Sequence, residues 1–115
     1  MHRIWIEHEP EAVVLIAEGE VDAYSAPELR ERLDEARADQ ARPFVADLSR
    51  ITFLDSTALG ELIRAFKDDA ASARSARVVL PEGRARRIFE ITSLDRALPV
   101  AESRAVALRE LREPD

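Results

Sequence analysis

Phe44-Val45-Ala46-Asp47-Leu48 and, five residues on, Phe53-Leu54-Asp55-Ser56-Thr57-Ala58-Leu59-Gly60 are the stretch on which the fold turns. The first run reads as a buried strand. After the second, Leu59, Leu62, Ile63 and Phe66 fall at i, i+3, i+4 and i+7, one face of a helix. Asp55, Ser56 and Thr57 therefore occupy a strand-to-helix turn at a helix N-terminus. Free backbone N–H groups and the positive end of the dipole favour an anion there. A phosphate carried by Ser56 fits such a site. So does simple capping, because Asp, Ser and Thr are the preferred N-cap residues. Gly60 tilts the balance: glycine early in a helix costs roughly 1 kcal/mol relative to alanine. It usually has a packing or functional reason, and the close approach of another backbone, a partner's included, is one.

A second segment carries related information. Glu18-Gly19-Glu20-Val21-Asp22-Ala23-Tyr24-Ser25-Ala26-Pro27-Glu28-Leu29 ends a strand, turns and starts a helix. Ser25 and Glu28 have the spacing of a capping box, with Pro27 tolerated in the first turn. Taken together and in this order, G-E-V-D-x-x-S-A-P-E-L and F-L-D-S-T-A-L-G resemble the STAS domain family. More narrowly, they resemble the anti-anti-sigma factors (anti-sigma factor antagonists) of bacterial partner-switching systems. The resemblance runs from the second strand to the C-terminal helix.

The resemblance implies one α/β domain over residues 1–115, a small mixed sheet of about four to five strands packed with about four helices. It implies a partner, an anti-sigma factor that is also a GHKL-type serine kinase, whose capture frees a sigma factor. It implies phosphorylation of Ser56, which ends the binding, and a PP2C-type phosphatase that restores it. Thr57 is the second hydroxyl candidate. By the same match Asp22, Tyr24 and Ser25 lie in a loop beside the phosphorylation site and join Asp55, Thr57, Leu59 and Gly60 at the partner surface. Two positions depart from the family pattern: Ala58 stands where glycine is usual, and Ser93 where a glycine is expected before Leu94. The same family likeness includes adaptor or scaffold subunits of transport and stress-signalling complexes, in which Ser56 is only a helix cap.

The rest of the chain is consistent with a small regulatory domain. A length of 115 residues suits one domain. The absence of cysteine removes disulfides and thiolate metal sites. No signal-peptide core and no long apolar run is present, so a cytoplasmic protein off the membrane is expected. With 23 acidic and 17 basic residues, the net charge of −6 argues against general attraction to nucleic acid. His2 and His8 lie near the N-terminus without metal-ligand spacing, and no histidine completes a triad with Ser56 and Asp55. The glycines form neither a P-loop nor a dinucleotide fingerprint. No cofactor and no metal are expected, and the chain reads as a kinase substrate rather than an enzyme.

Periodicity supplies the remaining elements. Ile4 and Ile6 alternate with Arg3, Trp5 and Glu7 as in an edge strand, with Trp5 packed on the opposite face under a helix. Residues 12–17 are apolar on both faces, as in an inner strand. A helix from about Ser25 to Ala38 buries Leu29, Leu33 and Ala36, with Glu28/Arg32 and Arg30/Asp34 spaced to pair outside. Arg77-Val78-Val79-Leu80 is a strand and Pro81-Glu82-Gly83 a turn. A short helix then runs to about Thr92, with Arg84, Arg86 and Arg87 on its solvated face and Ile88 and Ile91 on the other. Leu98-Pro99-Val100 suits a brief edge strand. The last helix spans roughly Ser103 to Arg112 with Leu108 and Leu111, and the tail Glu113-Pro114-Asp115 frays.

Overall fold

Alternating and uninterrupted apolar patterns sort the strands into edge and interior. The computed structural model describes residues 1–38, 42–67, 76–80, 82–93, 96 and 98–112. Strands β1 (His2–His8) and β2 (Val13–Val21) form an antiparallel pair. Strands β3 (Phe44–Leu54), β4 (Ala76–Val79) and β5 (Val100–Ala101) then add in parallel, giving the order β1-β2-β3-β4-β5. Helices α1 (Ala26–Ala36), α2 (Ser56–Lys67) and α3 (Arg84–Ile91) make the parallel crossovers. Helix α4 (Arg104–Arg112) follows β5. Among the described residues the mixed sheet with four helices is the architecture that the family resemblance implied.

Both faces of the sheet are covered, which is why residues 13–17 of β2 are all buried. One face packs Leu15, Ala17, Ala46 and Val78 against Leu29 and Leu33 of α1, Leu59 and Leu62 of α2, and Phe89 of α3. Phe44 and Phe66 meet there at a ring-centroid distance of 5.7 Å. The other face sets Val14, Ile16, Val45 and Val79 against Ala107, with Trp5, Val106, Leu108 and Leu111 at its margin. Trp5 thus packs toward the last helix, opposite Ile4, as alternation predicted.

An ion cluster around the buried Asp47 ties the start of α4 to the sheet. Asp47 lies inside β3, and its carboxylate needs partners to survive burial. Its Oδ2 accepts from Arg104 Nε at 3.0 Å, and its Oδ1 accepts from the Ser49 amide and hydroxyl at 3.0 and 2.6 Å. Arg104 Nη1 also donates to Glu7 at 2.8 Å. Glu7 in turn accepts the Trp5 indole N–H at 2.9 Å. The bonds from Trp5 and Arg104 hold the Glu7 carboxyl below its ordinary value. Burial pulls the Arg104 guanidinium down, but its Glu7 and Asp47 partners outweigh this and leave it raised.

Several local expectations differ from the structure. The face of α3 is the clearest case: Phe89 is the buried residue, whereas Ile88 and Ile91 are 38% and 76% exposed. Arg86, at i−3 from Phe89, turns toward the sheet and donates to the Leu80 carbonyl at 2.8 Å. Residues 86 and 89 share the inner stripe, so 88 and 91 point away; the larger ring fills the core in place of two isoleucines. Strand β3 continues six residues past Leu48. Its second half is mostly exposed, and only Leu54 turns fully back inside. At β5 the strand starts at Val100, yet the Pro99 carbonyl accepts from Val78 N–H at 2.9 Å, so proline lends an acceptor where it has no donor to give. On α1 Arg32 pairs with Glu35, and Asp34 with Arg37 and with Arg64 of α2, while Glu28 binds His2, in place of the i, i+4 pairs expected. Pro81, Leu94 and the tail 113–115 lie outside the described residues.

Candidate functional site

The carboxyl ends of β2 and β3 lie side by side, with Val21 opposite Leu54. The loops that follow them therefore leave the sheet together. Asp55 N–H donates to the Val21 carbonyl at 3.2 Å, closing the two strand ends. Its carboxylate then bridges two elements. Oδ1 accepts the Ala58 N–H at 2.9 Å, capping α2, and Oδ2 accepts the Ala23 N–H at 2.7 Å, from the loop before α1. One side chain thus clasps both segments that the sequence singled out.

The loop itself is held by Asp22 and Ser25. Asp22 Oδ1 accepts from the amides of Tyr24 and Ser25 at 3.0 and 3.2 Å, an Asx-type turn. The buried Ser25 hydroxyl accepts the Asp22 N–H at 2.9 Å. The capping box expected of Ser25 and Glu28 does not form. Ser25 has φ −94° and ψ −6°, a helical conformation, and makes no side-chain cap bond. An N-cap oxygen reaches forward from extended backbone, and here it reaches back to Asp22 instead. The Glu28 carboxylate is taken by His2 at 2.8 Å.

Ser56 and Thr57 stand exposed at the start of α2. Among the described residues the Ser56 hydroxyl has no hydrogen-bond partner, because Asp55 already caps the helix. Ala58 and Leu59 turn inward and are buried, so both support the helix start from within the core. Gly60 is exposed, and a Cβ built on it meets nothing within 4 Å. Its smallness serves no contact inside the described chain, which leaves the surface as the place where it would matter.

Two aromatic residues in the neighbouring segments are exposed. Tyr24, next to the clasped Ala23, is 91% exposed. Phe53, two residues before Asp55, is 52% exposed. Sequence reasoning gave Tyr24 but not Phe53. The signal was present: in a strand that buries Leu54, the residue before it faces the other way. His2 is engaged with Glu28, and His8 is exposed with Arg42 at 3.4 Å from its ring. Among the described residues no group of three or more His, Cys, Asp or Glu could hold a metal ion, and no helix is long and apolar enough to cross a membrane.

Comparison with known proteins bears on the fold and the family. The STAS domain family model matches residues 3–107. The anti-sigma-B factor antagonist of Listeria monocytogenes is 33% identical over 90 residues, covering 76% of this chain and 77% of that protein. The Staphylococcus aureus protein of the same name is 33% identical over 88 residues, covering 76% and 82%. The crystal structure of an anti-sigma factor antagonist from Mycobacterium paratuberculosis superposes with a TM-score of 0.90 at 26% identity, covering 98% of this chain and 96% of that one. The Asp55 clasp, the exposed serine beside it and these likenesses lead to one assignment: the chain belongs to the STAS domain family, among the anti-sigma factor antagonists.

Proposed function

We propose that this chain is a one-domain antagonist in a bacterial partner-switching pathway, working in the cytoplasm and without direct contact to nucleic acid or membrane. Its unphosphorylated form binds an anti-sigma factor that is also a GHKL-type serine kinase, and the sigma factor is released. Phosphorylation of Ser56, with Thr57 as the second acceptor, ends the binding. A PP2C-type phosphatase resets it. The chain itself carries out no catalysis in this scheme.

The observation that supports this reading best is the division of labour at the α2 N-terminus. Asp55 performs the capping, so the Ser56 hydroxyl is exposed and unengaged among the described residues. A serine needed as a cap would be tied to the backbone. Tyr24, Thr57 and Gly60 are exposed on the two segments that Asp55 clasps together, while Asp22 and Ser25 fix the loop and Leu59 anchors the helix.

A phosphate adds about −1.5 to −2 charge at neutral pH. At a helix N-terminus that charge is tolerated, so the fold need not change. The penalty falls on the complex. A partner carboxylate ~5 Å away repels each unit charge by roughly 3 kcal/mol at an effective dielectric of 20. That corresponds to about a hundredfold in affinity.

The test is capture from host lysate with Ser56→Ala and Ser56→Glu proteins as paired baits. Recovery of a kinase of the stated type by the alanine form, and its loss with the glutamate form, is the expected result. Equal recovery of a transport or scaffold complex by both forms would replace this reading with the adaptor one.

A further inference from the structure

The outer edge of β1 carries an arrangement that the partner-switching reading does not use. β1 is terminal in the sheet, and among the described residues no strand pairs with its outer side. It is seven residues long, contains no proline and has no bulge in its pairing with β2. Long, flat, unprotected edges invite another strand.

The direction of the free backbone groups can be worked out. Glu20 N–H donates to the Met1 carbonyl at 3.1 Å, and Glu9 N–H donates to the Ala12 carbonyl at 2.9 Å. Both pairs continue the β1–β2 register, in which Arg3, Trp5 and Glu7 face Glu18, Ile16 and Val14. Antiparallel ladders alternate bonded and non-bonded pairs. The odd-numbered residues therefore spend their backbone groups on β2. Those of His2, Ile4, Ile6 and His8 point outward, toward the open edge.

We propose that β1 pairs antiparallel with β1 of a second copy of this chain, about a two-fold axis through Trp5. The outward groups allow registers centred on Ile4, Trp5 or Ile6. The register centred on Trp5 alone matches all seven strand residues with strand residues. Ile4 and Ile6 then exchange backbone hydrogen bonds across the axis, and so do His2 and His8. Arg3 of each copy falls opposite Glu7 of the other, giving two charge-complementary pairs at closely spaced non-bonded positions. Arg3 is 73% exposed, lies over the Trp5 ring at 4.8 Å and is 4.0 Å from Glu18, so pairing means turning it across the edge to a Glu7 that already accepts from Trp5 and Arg104.

Packing agrees with charge. Ile4 and Ile6 share the α1 face, and the four isoleucines of two copies adjoin there. A groove of about 570 Å³ runs along this edge, lined by Ile4, Ile6, Trp5 and, from α1, Arg32 and Ala36. A strand can therefore approach without displacing α1. The same symmetry places the two Ser56 surfaces at opposite ends of the joined sheet, since the two copies of β2 run in opposite directions. Each remains open to its own partner.

The experiment is sedimentation velocity on the full chain over a concentration series up to roughly 1 mM, high enough to populate a dimer of millimolar Kd. A concentration-dependent dimer is expected. Arg3→Glu sets like charges opposite one another twice and should weaken dimerisation tenfold or more. Arg87→Glu, at an exposed position of α3, makes the same change in net charge away from the edge and should leave it nearly unchanged. A chain that stays monomeric throughout, or equal weakening by both variants, would overturn the proposal.

A second route uses the absence of native cysteine. Trp5→Cys places two thiols on the axis with Cα atoms roughly 4.5 Å apart, within disulfide reach. Oxidation with diamide should give a covalent dimer, whereas the exposed Ile91→Cys control should not. Cross-linking of both to the same extent would also count against the register.

Discussion

Asp55 is the residue on which the candidate site depends, and its replacement separates two contributions. In Asp55→Ala the α2 cap to Ala58 N–H is lost, and so is the bond to Ala23 N–H that holds the neighbouring loop. Loss of an N-cap costs about 1 kcal/mol. The Ala23 bond is charge-assisted, but it lies in solvent reach, so about 1 kcal/mol is the appropriate size rather than the larger values of buried bonds. The alanine variant should therefore lose about 2 kcal/mol. Asp55→Ser retains a capping oxygen but is too short to reach Ala23, and should recover about half of that loss. Urea unfolding monitored by circular dichroism, with the slope checked for constancy, reads both differences directly. Equal losses in Ser and Ala would show that the capping bond contributes nothing. A loss of zero in Ala would refute the clasp altogether. Binding gives a separate readout: in the proposed function, freeing the loop at Tyr24 weakens partner capture even when most of the protein remains folded.

Other positions give independent checks. Ser93 follows α3 with φ +61°, a left-handed conformation that costs a non-glycine residue roughly 1 kcal/mol. Ser93→Gly should raise stability by about that amount, read as a higher urea midpoint. Arg104→Leu strips Asp47 of its cation inside the sheet and should cost about 3 kcal/mol. Adding Asp47→Leu to it should return part of that loss, as a thermodynamic cycle would measure. Glu7 has its folded pKa held below the ordinary value of 4.5 by Trp5 and Arg104. Its stabilisation is therefore complete above the unfolded pKa and is lost as pH falls through the lower folded one. In dilute protein, the gap in urea midpoint between wild type and Glu7→Gln should be widest above pH 4.5 and close as the medium becomes more acid.

What the sequence made legible was what local patterns encode. Residues 12–17 are apolar on both faces because two layers cover them, and Leu59, Leu62 and Phe66 repeat because one stripe of α2 is buried. The implied sheet and helices followed from those runs. What stayed hidden depended on residues far apart in the chain. Asp55 meets Ala23 across 32 positions, and Arg104 meets Asp47 across 57. No window of periodicity contains such pairs. Glu28 had the spacing of a capping box but was claimed by His2, 26 positions away. On α3 the pattern was ambiguous in itself, since Ile88–Ile91 and Arg86–Phe89 are both i, i+3 stripes. Shape and area decided between them.

The arrangement at α2 bears on how the proposed switch could act without refolding. A phosphate on Ser56 would sit beside Asp55, a like charge, and over the first turn of α2, whose backbone N–H groups and dipole attract it. These two local effects oppose each other. Asp55 is not free to swing away, because its two oxygens are fixed on Ala58 and Ala23. Nor does Ser56 give up any bond on being modified. With little gained or lost inside the domain, most of the free energy of the added charge is left to be expressed against whatever contacts the surface. Tyr24, on the loop clasped to Asp55, and Phe53, three residues before Ser56 in the chain, are exposed aromatic groups. A partner that covers Tyr24 and the start of α2 comes close to Ser56, and there a charged, strongly hydrated group is costly to cover. Backbone amide shifts of the phosphorylated protein should accordingly change in the 55–60 turn and in the 22–25 loop clasped to it. A wide change across the sheet would mean that the phosphate acts by refolding instead.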